Sequence, residues 1–426
     1  MHKILITKKL SIKNISIILI LSIVFSFIYY FLISKSIIYP TVSPMVNGGK
    51  LFVFADWSVI VKANLCNNLG QDVYINNTCD PFGRNHVYGN ILLNLPLVDN
   101  FQKFYLIIFP VIINFFFILI VLYIFTYNNN LYLLPAIISI FSFPMILSIE
   151  RANFDTIIFI FLVFISLFKN KIFSFISIIF LTLSKFYPVI LAISFVFEKN
   201  FKKFFINSIV FSILVLTFVL LQYEQFLKIF ENINQFKSYG MYSFSFSSVI
   251  IYLENFEFLI NDKNYNYWIL FIILIVPSLI IFAYTLKYVF KNKSTFKLTA
   301  DNFEEKIYFL SSAVVVICFF IFSNFVYREI FLIGLFPFII KQRNLTNFSK
   351  FFQYYYFSLI LKFLISFPIT YVYMNKIVDN LKLIVIFKYM FDLYVIALVG
   401  AIFIAQLYWL FKSLITQKKI NFSKNS

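Results

Sequence analysis

The feature that most constrains this chain is a succession of apolar runs, each long enough to cross a bilayer. A membrane-spanning helix needs about 20 mainly apolar residues, and it must satisfy its own backbone polar groups where no water can reach them. Runs of that kind recur from Ile15–Ile33 to Tyr389–Phe411. Of the 426 residues, 61% are hydrophobic and 13% are charged, a balance that no water-soluble fold has. The expected fold is an all-α polytopic membrane protein, a single integral membrane domain over residues 1–426 embedded in the lipid bilayer.

The formal net charge is +18. In a soluble chain that excess points to nucleic acid. Here the lysines fall between apolar runs, where they fix orientation by the positive-inside rule, so no nucleic-acid partner is expected. Lys3, Lys8, Lys9 and Lys13 precede the first run, which is long enough to span and has no small-residue cleavage site after it. It reads as a retained helix with its N-terminus inside. Alternation then places residues 34–102 outside, and likewise 223–267. Lys169–Lys171, Lys199–Lys203, Lys287–Lys297 and the basic tail Lys412–Ser426 fall inside, so both termini are cytoplasmic. About 10–12 segments are expected, several of them short or broken. One segment, Leu131–Ile149, carries Pro135 and Pro144. The interval Ile172–Phe197 balances the flanking lysines only as two short segments meeting at Lys185-Phe-Tyr187-Pro188, which places Lys185 at the outer face.

That topology gathers Asp56, Asp80, Arg84, Glu150, Arg151, Asn153, Asp155, Lys185, Tyr187, Tyr327 and Arg328 at one face. Any one of them is explained by the interface, where ionisable residues cost less than at the midplane. Together they make a chamber with carboxylates and several cations. Such a set suits a substrate carrying phosphate, which Arg and Lys hold by charge-assisted hydrogen bonds. Cys66 and Cys79 share the first outer loop, a compartment that permits disulfides, and are expected to pair. Cys318 lies inside an apolar run and reads as a small core residue. His2 and His86 are too scattered for a metal cluster, so no metal and no cofactor is expected. Asn76-Asn-Thr78 has only the form of a glycosylation acceptor.

Several pieces resemble one family. They are Phe-Ala-Asp56-Trp57, Gly70-Gln-Asp-Val-Tyr74, Cys79-Asp80-Pro-Phe-Gly83-Arg84 with Tyr88-Gly89, Ile149-Glu150-Arg151-Ala-Asn153-Phe-Asp155, Lys185-Phe-Tyr187-Pro188 and Tyr327-Arg328-Glu-Ile-Phe331. In this order they are similar to the polytopic glycosyltransferases of the GT-C superfamily, nearest to the polyprenol-phosphate-mannose-dependent group, glycosyltransferase family 87. Ala152 departs from the pattern, which usually has glycine there. Nothing beyond Phe336 adds to the resemblance.

The resemblance implies a GT-C-like bundle and a sugar, mannose or a similar hexose, carried on polyprenyl phosphate. It implies a glycan or lipid-linked acceptor and transfer on the extracytoplasmic side of a bacterial inner membrane. Asp56 matches the catalytic acidic position, and Lys185, Arg151 and Arg328 match donor-phosphate positions. Asp80, Arg84, Glu150, Asn153, Asp155, Tyr187, Tyr327 and Trp57 are expected to position substrate. Trp57 and Tyr74 have faces on which a sugar can stack. The prenyl tail requires a cleft open to the bilayer. The residues leave two other functions open: a lipid-linked sugar flippase, and a polysaccharide polymerase or ligase.

Overall fold

The computed structural model describes residues 11–34, 46–47, 50–51, 53–127, 130–168, 170–198, 200–235, 243–254, 263–298, 302–321, 325–345, 349–366 and 381–423. Lys3, Lys8, Lys9, Lys35, Lys169 and Lys199 lie outside the described residues, as do 236–242. The chain is an all-α polytopic membrane protein. Its only strands among the described residues are two short hairpins, Val46–Asn47 with Lys50–Leu51 and Thr126–Tyr127 with Asn130–Leu131. Among the described residues five helices are long and apolar enough to cross a membrane, or six if a bent pair is one span. Shorter apolar helices cover Phe154–Leu167, Lys171–Ser184 and Tyr187–Phe197.

The chain divides into two compact units. The first comprises Met1–Val189, Phe211–Phe236 and Ser366–Val372. Its opening helix α1, Ile12–Ser34, leaves Ile20, Ile23 and Phe27 exposed, as a lipid-facing surface requires. On its other face Tyr29 is buried and donates its hydroxyl to the Ile140 carbonyl. Helix α2, Ala55–Asn68, follows, and then a long irregular stretch to Gln102. Helix α3, Phe109–Ile124, is preceded by a π turn over Phe104–Ile108.

The expected single helix over Leu131–Ile149 is instead two: α4, Leu133–Ile140, and α5, Phe143–Arg151, bent by 56°. Pro144 explains the break. It lacks an N–H and is tolerated only in the first turn of a helix, where it sits. Helix α6, Phe154–Leu167, and α7, Lys171–Ser184, follow. The chain then leaves the helix at Lys185 (φ −155°, ψ 78°) and resumes as 3₁₀ turns from Tyr187, so the interval is two segments meeting at the Lys185–Pro188 turn. Helix α8, Phe201–Leu221, leads to α9, Tyr223–Gln235.

Helix α9 gives the second polar loop a structure that reading the sequence missed. Phe226, Ile229 and Ile233 recur at i, i+3 and i+7, one helical face. Ile229 and Ile233 pack into a small core with Ala63, Cys66, Val73, Tyr74 and Leu93 of the first loop. Phe226 meets Phe186 edge-on at 5.0 Å. At the rim, Lys228 donates to Asp72 at 2.7 Å, and Asn232 donates to the Tyr74 carbonyl at 2.7 Å. Helix α9, the first part of the second loop, therefore folds with the first loop.

The second unit comprises Ile190–Val210, Lys237–Ile365 and Tyr373–Ser426. It holds α10, Phe246–Glu254; α11, Lys263–Lys291; and α12, Phe303–Phe320. A run of 3₁₀ turns, Val326–Leu335, leads into α13, Phe336–Leu345; α14, Ser349–Ile365, and α15, Leu381–Ser423, close the unit. Helix α15 extends the expected Tyr389–Phe411 segment at both ends, into the basic tail. An apolar groove of about 470 Å³ lies among α11, α14 and α15, lined by Ile273, Pro277, Phe357, Leu361, Phe387 and Met390.

Gly334 and Gly89 mark close approaches. At Gly89 an added Cβ would stand 1.7 Å from the Leu183 carbonyl oxygen, and the Gly89 N–H donates to the Ser184 carbonyl at 2.9 Å. This contact seats the first loop against the end of α7, beside Lys185. Gly89→Ala is expected to force the two backbones apart at a cost of about 1–3 kcal/mol. The check is a thermal melt of the purified protein, in which the variant should unfold several degrees lower.

Candidate active site

The polar loop after α1 is fixed at its base by its own backbone. Phe54 adopts the left-handed region (φ 59°), and its N–H donates to the Glu150 carbonyl at 3.0 Å. The start of α2 is thereby joined to the end of α5. Asp56 falls in the first turn of α2, where unpaired backbone N–H groups and the helix dipole favour a negative charge.

Three side chains then converge on Asp56. Asn153 donates through Nδ2 to Oδ2 at 2.8 Å. The Arg84 Nη1 lies 3.4 Å from Oδ1, and the Arg151 Nη1 lies 3.7 Å from the same oxygen. Asp80 acts through Arg84, gripping it with two parallel bonds: Nε to Oδ2 at 3.0 Å and Nη2 to Oδ1 at 3.0 Å. Arg84 also donates to the Ala55 carbonyl at 2.8 Å. Asp80 is itself buried and accepts the backbone N–H groups of Phe82 and Arg84. This turn needs Gly83, at φ +63°. The Cys66–Cys79 disulfide, present as expected, ties its start to the end of α2.

Glu150 completes the group from beneath. Its carboxyl is buried, accepts no hydrogen bond, and has the Arg151 Nε at 3.8 Å. It is enclosed, so its neighbour Arg151 is its route to the rest of the site.

A second cluster adjoins the first through Asn153. The Asn153 Oδ1 caps α6 by accepting the Asp155 N–H at 3.0 Å, while its Nδ2 holds Asp56. Asp155 is fully buried and accepts from the Lys185 Nζ at 2.6 Å and the Tyr187 hydroxyl at 2.7 Å. The Lys185 ammonium also lies over the rings of Tyr88 at 5.5 Å and Tyr187 at 5.6 Å. The turn from Ile149 to Asp155 is thus the hub of both clusters.

Ala152 occupies the hub's tightest point, at φ 46° and ψ 51°. An L-residue there is strained by a close Cβ–carbonyl contact, which is the physical reason glycine suits the position. Ala152→Gly is expected to stabilise the protein by up to about 1 kcal/mol, net of glycine's extra unfolded-state freedom. A modest rise in melting temperature, with the site unchanged, checks it.

Trp57 corrects the expectation of a sugar platform. It is buried, its indole N–H donates to the Tyr105 carbonyl at 2.8 Å, and its face stacks on Phe109 at 4.9 Å. It anchors α2 to the start of α3. Tyr74 is likewise buried in the core beneath α9, with its hydroxyl toward the Tyr88 carbonyl at 3.4 Å. Tyr327 and Arg328 belong to the second unit, where Tyr327 is buried and stacks on Phe325 at 5.5 Å.

His86 was legible only as a loop residue, yet it is wholly enclosed between Tyr74 (5.3 Å, edge-on) and Tyr88 (5.7 Å). Burial pushes its imidazole down to about 3, against an opposing pull from the Gly89 backbone. A histidine whose folded value lies below its unfolded one gives stability that is full above the unfolded value, near 6.5, and fades as pH falls toward 3. The loop is expected to lose about 2 kcal/mol between pH 8 and pH 5. His86→Phe should flatten that dependence. Limited proteolysis of the loop across this pH range measures it.

No family model, no curated protein and no solved structure matches this chain. Fold and site together define an all-α integral membrane protein whose first unit carries two adjoining clusters of ionic side chains among the described residues.

Proposed function

We propose that this protein is a glycosyltransferase moving a sugar, mannose or a similar hexose, from a polyprenyl-phosphate donor to a glycan or lipid-linked acceptor. The observation that carries the reading is the carboxylate of Asp56. It is held in the first turn of a helix by Asn153, Arg84 and Arg151, next to the Lys185–Asp155–Tyr187 cluster. A fixed carboxylate beside several cations suits a reaction that removes a proton at one point and releases a phosphate at another.

The chemistry is a single displacement. An acceptor hydroxyl attacks the anomeric carbon and gives its proton to Asp56. The bond from that carbon to the phosphate oxygen breaks, and polyprenyl phosphate departs with the electron pair. Arg151 and Lys185 hold the leaving charge; Arg328 is a donor-phosphate candidate by its place in the resembling motif alone. Asp80, Arg84 and Asn153 keep the base in place. The apolar groove of the second unit has the lining that a hydrocarbon chain prefers. We propose the extracytoplasmic side for the reaction, with both termini cytoplasmic, a reading that the positive-inside rule supports; the bacterial plasma membrane is what the resemblance implies.

The test is incubation of the purified protein with a panel of polyprenyl-phosphate sugars, following release of polyprenyl phosphate in the presence of candidate acceptors. Release from at least one donor, dependent on acceptor, supports the reading. Transport of an intact lipid-linked sugar across vesicles, without release, would replace it with a flippase.

A further inference from the structure

The second unit buries four charged side chains together. The Lys362 Nζ lies 2.8 Å from Glu329 and 2.6 Å from Asp392, and the Lys388 Nζ lies 2.6 Å from Asp392 and 3.6 Å from Glu329. All four side chains are at most 1% exposed. The formal charges cancel. Phe244 and Tyr389 lie against the two ammonium groups at 5.9 and 5.5 Å. Replacing such a group with apolar residues is often neutral or stabilising, so the network is not explained by stability alone. Ionisable groups within membrane segments are rare enough to be read as functional by default.

What the network holds is specific. Lys388 also donates to the Ser243 carbonyl at 2.6 Å. Ser243 pairs with Phe325 in an isolated antiparallel bridge, and its hydroxyl meets that of Tyr389 at 2.9 Å. Phe325 and Glu329 stand on either side of Tyr327 and Arg328. One lysine therefore reaches both ends of this turn, through Ser243 on one side and through Glu329 on the other. Lys362 and Asp392 tie the same point to α14 and α15.

We infer that Glu329, Lys362, Lys388 and Asp392 form a clamp that positions the Tyr327–Arg328 turn, and with it the arginine that the motif resemblance matches to a donor-phosphate position. This rests on the transferase reading for its consequence, but not for its geometry. The four residues are positioning residues and touch no substrate.

Amide exchange and steady-state kinetics test it together. In the unmodified protein the amides of Val326–Glu329 are expected to exchange as slowly as those of α13, and fast exchange there would overturn the clamp without any variant. The informative variant is the double Lys388→Met, Asp392→Leu. It removes an ion pair whole and leaves Lys362 with Glu329. Exchange at residues 325–330 should rise about tenfold or more while the rest of the unit is unchanged. The donor KM should rise by a similar factor with the acceptor KM unmoved. Unchanged exchange in the folded double variant refutes the clamp. Faster exchange with an unaltered donor KM refutes its link to the donor. If the parent protein releases no polyprenyl phosphate from any donor while exchange rises as stated, the clamp stands and the transferase reading fails.

Discussion

On the transferase proposal, Asp56→Asn protein is expected to fold as the parent does and to transfer sugar roughly 10²–10⁴-fold more slowly. The fold survives because each neighbour of Asp56 keeps another partner. Asn at this position still accepts the Asn153 bond and still suits the first turn of α2. Arg84 retains both bonds to Asp80 and its bond to the Ala55 carbonyl. Arg151 retains Glu150 at 3.8 Å. What the variant lacks is a group able to take a proton from the acceptor at neutral pH. Asp56→Glu keeps that group but displaces it by about a methylene, and retains part of the activity only where the geometry forgives it. The competing account makes Asp56 a plain counter-ion for two arginines. It predicts near-normal transfer by Asp56→Asn, and that result, in protein shown to be folded, would refute the catalytic role. Melting temperature and single-turnover transfer on the same preparation separate the two.

The fold class was legible because hydropathy acts over whole segments, and a run such as Phe104–Ile124 admits few alternatives. The meeting of Asp56, Asp80, Arg84, Arg151 and Asn153 was legible for a related reason. In so apolar a chain, polar residues concentrated in two short stretches have few places to go. The turn at Lys185 followed from lysine balance.

What stayed hidden depends on packing at a distance. Pro144 was visible, but it permits either a kink or a fresh start, and only the packing of α4 and α5 chooses the 56° bend. Trp57 and His86 carry polar groups that suit a site equally well. Their burial is decided by Tyr105, Phe109, Tyr74 and Tyr88, which no local pattern connects to them. The network of Glu329, Lys362, Lys388 and Asp392 shows only one local sign, the i, i+4 spacing of Lys388 and Asp392. Lys362 stands alone in an apolar run and reads as an end-of-helix anchor until its partners are placed.

Lys185→Met protein is expected to lose about 3–5 kcal/mol of stability, because it takes away the ammonium that lies 2.6 Å from the fully buried Asp155 carboxylate. Transfer falls too, but from that variant alone the cause is ambiguous. The double variant Lys185→Met, Asp155→Asn resolves it. It removes both charges together, and Asn at 155 still accepts the Tyr187 hydroxyl, now 2.7 Å from the carboxylate. Most of the lost stability should return, since no unpaired charge remains. Transfer should not return. A cation that holds a leaving phosphate acts where charge develops, and losing one such group costs roughly 10²–10³ in rate. Lys185→Arg keeps the charge with a different reach and should sit between parent and double variant in rate. The measurements are a thermal melt and a transfer rate for each of the four proteins. If the double variant regains transfer along with its fold, Lys185 serves Asp155 alone and is not a donor-phosphate cation.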